Sequence, residues 1–201
     1  MTYHALLENR LGSFRELNTN WGSFYLFPSK QTIGAHYLIT KNLSNYKMPV
    51  HERHMGEEYN ELYFFLPSYW NIDHFENDNF NWVYVWLKRL EEYVVQNNTW
   101  FGHGHTMPCG RPFESLSSSM QQNHFILARP IAADEDLKPI SSNNKTIGFL
   151  GVIPIFEDEM DFKQGKGTAK LLEKFRSAGI TEKLDDFRVT SLKKKWRFFR
   201  R

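Results

Sequence analysis

Residues 99–113 read TWFGHGHTMPCGRPF, and what this stretch can be constrains everything around it. It holds three glycines, two histidines, two prolines, an aromatic pair and the only cysteine of the chain. Glycine frees the backbone, while proline fixes φ and removes a donor. Neither a regular helix nor an uninterrupted strand can therefore run through it. Two readings are open. One is a metal or catalytic site on His103, His105 and Cys109, residue types that bind zinc or pair thiol with imidazole, with His51 and His54 of another loop as further ligands zinc would accept. The other is a rigid shaped loop around one structural histidine.

Immediately upstream, residues 81–96 (NWVYVWLKRLEEYVVQ) predict the main helix. Trp82, Val83, Trp86, Leu87, Leu90, Tyr93 and Val94 follow the i, i+3, i+4 spacing of one buried face, with Lys88, Arg89, Glu91 and Glu92 opposite. Further upstream, 61–66 (ELYFFL) is a strand that Pro67 stops, and 23–27 with 35–40 are strands flanking a turn. Residues 42–59 read as a long loop, and Leu6, Leu7, Leu11 and Phe14 as a short N-terminal helix. Downstream, 124–128 (HFILA) is a strand and 132–145 a polar loop. The apolar run 146–155 (TIGFLGVIPI) predicts a central strand buried on both faces. Two helices follow at 156–164 and 168–177, with Thr168 as N-cap of the second and Gly179 ending it. Residues 185–190 predict a last strand. The alternation gives an α/β (α+β) class: a single mixed β-sheet with helices packed on it.

Four elements in this order carry a family likeness: ELYFFLP, the Trp-rich helix, NTWFGHGHTMP, and FLGVIPIFEDEMDFKQGKGTAKLLEKF. Together they resemble the Suppressor of fused domain family over roughly residues 22–195. The resemblance implies the fold of that family's N-terminal lobe and a non-enzymatic domain that binds other proteins, without a cofactor. Animal members sequester zinc-finger transcription factors and clamp a short peptide between two lobes. This chain ends about where the first lobe does. Its likeness is to bacterial single-domain members, several of which sit beside secreted polymorphic toxins. The implied role is an immunity protein (antitoxin) that occludes a cognate toxin. In the family pattern His105 is a fixed member of the loop and His103 a variable one.

The residues support the scaffold reading of the loop. Cys109 has no second cysteine at metal-ligand spacing, and no nucleophile elbow, H-E-x-x-H or phosphate-loop motif occurs. No metal and no catalytic residue is expected. The candidate partner surface is Trp100, His105 and Thr106 of the loop, plus Glu157 and Asp158 at the start of the acidic helix, where the helix dipole favours carboxylates. Glu57, Glu58, Glu61, Glu76 and Asp78 form a second acidic region able to join such a face.

The chain has 201 residues, 25 Lys or Arg and 23 Asp or Glu. Six of the basic residues (Lys193, Lys194, Lys195, Arg197, Arg200 and Arg201) lie in the last nine, so the body is acidic and the tail basic. The organisation expected is one domain over 1–192 and a basic, aromatic tail over 193–201. The tail offers an alternative function, in which the protein associates with nucleic acid or with a transcription regulator. The start of the chain lacks a secretory signal pattern and no window is apolar enough to span a membrane, so a cytoplasmic location is expected.

Overall fold

The strand Lys145–Ile155 (here β8) organises the molecule, a computed structural model that describes residues 2–110 and 112–192. Nearly all of its second half is buried, as its unbroken apolar sequence requires. Among the described residues seven other strands gather around it. They are β1 (Arg15–Thr19), β2 (Gly22–Pro28), β3 (His36–Thr40), β4 (Tyr59–Leu66), β5 (Thr106–Pro108), β6 (His124–Ala128) and β7 (Ile140–Ser142). The sheet order is β1-β2-β3-β4-β8-β6-β5, with β7 also on β8. Only the β4–β8 pair is parallel, so the sheet is mixed. Ile147 pairs with both Tyr59 and Ile140, and Gly151 with both Tyr63 and Ala128. β7 and β6 therefore share one side of β8, and β4 takes the other.

Strand alternation sends side chains to two cores. Phe24 and Leu26 of β2, Leu62 and Phe64 of β4, and Leu150 and Val152 of β8 face α2 (Asp78–Gln96). That helix starts at Asn77, whose side chain accepts the Asn79 N–H. It buries Trp82, Val83, Leu87, Leu90 and Val94, about 2 kcal/mol for each side chain removed from water. On the opposite face, Tyr25, Phe27, Tyr63 and Phe65 pack on α1 (Tyr3–Leu11). Ile126, Ile153 and Ile155 pack on Leu171 and Phe175 of α4 (Thr168–Ala178). The fold is α+β, with one mixed sheet and four α-helices among the described residues, α3 being Glu157–Lys166.

Several local expectations change. Tyr93 is 42% exposed rather than buried, its ring stacked on Phe101. Residues 185–190 form no strand: they hold a single turn at 186–187, where Asp185 accepts the Phe187 N–H. The connection between α3 and α4 is Gly167 alone, at φ +87°, and Thr168 is the first residue of α4 rather than its cap. Polar β1 and the short strands β5 and β7 were not anticipated; β7 lies within the expected loop 132–145. The tail 193–201 lies outside the described residues.

Candidate functional site

The 99–113 loop leaves α2, turns back on itself and becomes the edge strand β5. Two glycines fix its shape. A Cβ on Gly102 would lie 2.4 Å from the Trp100 ring, so the indole rests directly on the glycine. Gly104 has φ +87°, and a Cβ there would come within 2.5 Å of the Thr168 hydroxyl at the start of α4. Backbone bonds close the frame: His105 N–H to Gly102 O at 3.1 Å, Gly104 N–H to Leu127 O at 2.7 Å, and Leu127 N–H to His105 O at 2.8 Å. The loop is thus clamped between β6 and α4.

Trp100 stands half-buried at its centre. The ring of His105 lies edge-on at 4.4 Å, that of His54 at 4.7 Å and that of His51 at 6.5 Å. His51 and His54 come from the long loop before β4, which folds onto this one. Glu57 of the same loop takes the Arg129 guanidinium at 2.7 Å and faces His54 at 3.7 Å. His103 accepts the Arg129 N–H at 3.2 Å. Lys163 of α3 reaches the Thr106 hydroxyl at 3.5 Å. Burial, then the Lys163 charge, depresses the His105 pKa, against a hydrogen bond to the Trp100 backbone. Burial and Arg129 depress His103 likewise. Both shifts favour the neutral ring.

The chemistry suggested by residue types does not assemble. Cys109 is buried in the α2-side core, and burial pushes its thiol well above the ordinary cysteine range, the reverse of what a nucleophile needs. Among the described residues no three His, Cys, Asp or Glu side chains converge as metal ligands would.

Of the five candidate surface residues, the structure brings Trp100, His105 and Thr106 together. Glu157 and Asp158 are exposed in the first turn of α3, whereas Lys163, near its other end, touches the loop. Asp158 accepts the Thr190 hydroxyl at 2.8 Å, and the acid behind it, Glu159, is fully buried on Arg188 at 2.8 Å. Glu61 does not belong to any acidic face. It is wholly buried and accepts from the Ser44 N–H and hydroxyl and the Thr40 hydroxyl. Sequence reasoning missed Lys163 as a neighbour of the loop and placed His51 and His54 only in another loop, as further residues zinc would accept. No local pattern links them to it.

The model of the family described as Suppressor of fused protein (SUFU) matches residues 22–188. The chain belongs to the Suppressor of fused family. Solved structures agree on its fold. The Sufu of a Sufu–Fu complex superposes with TM-score 0.64 at 15% identity, over 94% of this chain and 89% of the other. A Neisseria gonorrhoeae protein described as a SUFU homolog gives 0.63 at 15% identity, over 96% of both chains. Drosophila Suppressor of Fused gives 0.63 at 16% identity, covering 94% of this chain and 49% of the fly protein. A sequence comparison with curated proteins finds no match. Among the described residues no helix of this Suppressor of fused domain is long and apolar enough to cross a membrane.

Proposed function

We propose that this Suppressor of fused domain is a non-enzymatic protein-binding module, and that it serves as a bacterial immunity protein, occluding a cognate secreted toxin in the cytoplasm. The observation that carries the reading is the Trp100 platform. A half-buried indole sits on Gly102, edged by His105 and His54, on a loop clamped by backbone bonds. An aromatic anchor held rigid before contact loses little entropy on binding, and such residues dominate interface energies. Family membership and the Sufu–Fu complex among the structural neighbours support the same reading. Thr106 borders the platform. Glu157 and Asp158, at the other end of α3, supply carboxylates for basic groups of the partner and steer encounter.

The test is coexpression with the toxin encoded next to the gene, read as survival and as a stoichiometric complex on size exclusion. Trp100→Ala is expected to weaken the complex by about 30-fold or more, and Glu157→Lys with Asp158→Lys to slow association. Absence of both rescue and complex refutes the immunity role. Tight binding untouched by Trp100→Ala refutes the platform.

A further inference from the structure

The C-terminal end of β4 carries an apolar surface that no described residue covers. Three β-turns meet there, and each puts a large apolar side chain at its tip. The first is Thr32–Ala35, closed by the Ala35 N–H on Thr32 O at 3.1 Å, with Ile33 at its tip. The second is Pro67–Trp70, closed at 3.0 Å, with Tyr69 at its tip. The third is Asp185–Arg188, closed at 3.4 Å, with Phe187 at its tip. β4 runs straight into the second turn, and Lys183 and Leu184 pass beside Phe65 into the third. A Cβ on Gly34 would lie 3.1 Å from the Ser68 side chain, so the first two turns touch. The Tyr69 ring lies 6.5 Å from that of Phe187, and its hydroxyl donates to Asp186, so the last two touch as well. Tyr69 is thus the middle of the three.

Turn tips are ordinarily polar, because Gly, Asn, Asp and Ser suit the turn backbone. Here Ile33 is 96% exposed, Phe187 83% and Tyr69 52%. Apolar residues scattered singly on a surface need no explanation, but three on adjoining turns form a patch. At about 150–250 Å² for each aromatic side chain, the three leave roughly 400 Å² of apolar surface in water. An interface of standard size buries about 800 Å² on each partner, a little over half of it non-polar, or roughly 450 Å². The patch therefore matches the apolar part of one such interface.

Its charges and layout fit a second copy of the chain. Lys30 lies on the loop of Ile33, and Lys183, Asp185 and Asp186 lie beside Phe187. None of the four makes a salt bridge among the described residues. The rim holds both signs equally, so it favours neither an acidic nor a basic partner. A two-fold contact sets one patch against itself and needs only that its own parts be complementary. An axis at Tyr69 exchanges Ile33 with Phe187 and sets the Lys30 side against the Asp185 side. We infer that two copies of the chain associate through these turns, about a two-fold axis near Tyr69 that packs Ile33 of each copy on Phe187 of the other. The His51–His54 loop lies before β4 and the patch beyond it, about 25 Å along the strand, so the dimer leaves each Trp100 platform open.

Sedimentation of the full chain between about 1 and 100 μM, a range suited to one such patch, is expected to pass from 23.9 kDa to twice that mass. Ile33→Asp and Phe187→Lys, each alone, are expected to weaken the dimer about 30-fold or more. Tm stays unchanged, because both side chains stand in water in the monomer. Mixing the two variants restores a dimer. One half of its interface regains Ile33 on Phe187, and in the other half the introduced carboxylate meets the introduced ammonium. Trp100→Ala leaves the dimer intact, which separates this patch from the loop platform. A chain that stays monomeric throughout the range overturns the proposal and leaves the patch to a different protein. So does a dimer that either turn variant leaves intact, or a mixture of the two that stays monomeric. A dimer lost only on removal of residues 193–201 also overturns it and assigns the contact to the tail.

Discussion

Glu61→Gln isolates the ionisation of a single buried carboxyl. Glu61 is fully buried between β3, β4 and the turn at Leu43–Asn45. Burial raises its pKa from 4.5 to about 7, against hydrogen bonds from Ser44 and Thr40 that pull it down. The sign follows from linkage. A carboxyl whose folded pKa lies above its unfolded one stabilises the fold fully below pH 4.5. That contribution is lost as pH rises toward 7. The complete loss is about 3 kcal/mol, most of which falls between pH 5 and pH 8. Glutamine fits the same site: its oxygen accepts from Ser44 and its amide donates to Thr40. Urea unfolding of both proteins at pH 5, 6, 7 and 8 gives the difference. Histidines with lowered pKa values, such as His36 and His124, pull the opposite way in both proteins and cancel in the comparison. The variant is expected to gain on the parent by about 2–3 kcal/mol across this range. A gap that does not change with pH refutes the assignment.

Arg188→Leu strands the fully buried Glu159 and removes the 2.6 Å bond from Arg188 to the Pro154 carbonyl; a loss of about 3–5 kcal/mol is expected in denaturant unfolding. Burial raises the Glu159 pKa but Arg188 outweighs it and holds the carboxyl below its usual range, so this pair's contribution is present above pH 4.5 and lost as pH falls through the folded pKa, visible as acid unfolding. Gly104→Ala puts a methyl at φ +87° against Thr168 and is expected to cost about 1–3 kcal/mol, read as a lowered Tm. Cys109 is expected to resist iodoacetamide at pH 8 in the folded protein and to react promptly in urea; equal rates contradict its placement in the core.

The elements legible in sequence are those whose burial imposes a period. α2 repeats its apolar residues at helical spacing, and the 146–155 run has no polar face to show. β1 (RELNT), β5 (TMP) and β7 (ISS) carry no such signal, because edge and hairpin strands owe their conformation to the neighbour they pair with. The loop was legible as a rigid frame from its glycines and prolines. Its surroundings were not: His51 and His54 reach Trp100 through the packing of two loops, which no local pattern encodes.

Buried acids divide in the same way. Glu182 accepts the N–H groups of Ile131, Ala132 and Ala133, about fifty positions back in the chain, and in sequence it resembles any surface glutamate. Glu61 differs, because its phase was readable. It alternates with Tyr63 and Phe65 on the strand ELYFFL, and both of those face the α1-side core. An acid in phase with the apolar residues of a strand covered on both faces has no route to solvent, whatever charge lies near it in sequence. Phase, not local charge, removes Glu61 from the acidic surface, whereas Glu157 and Asp158 stay on it, exposed in the first turn of a helix.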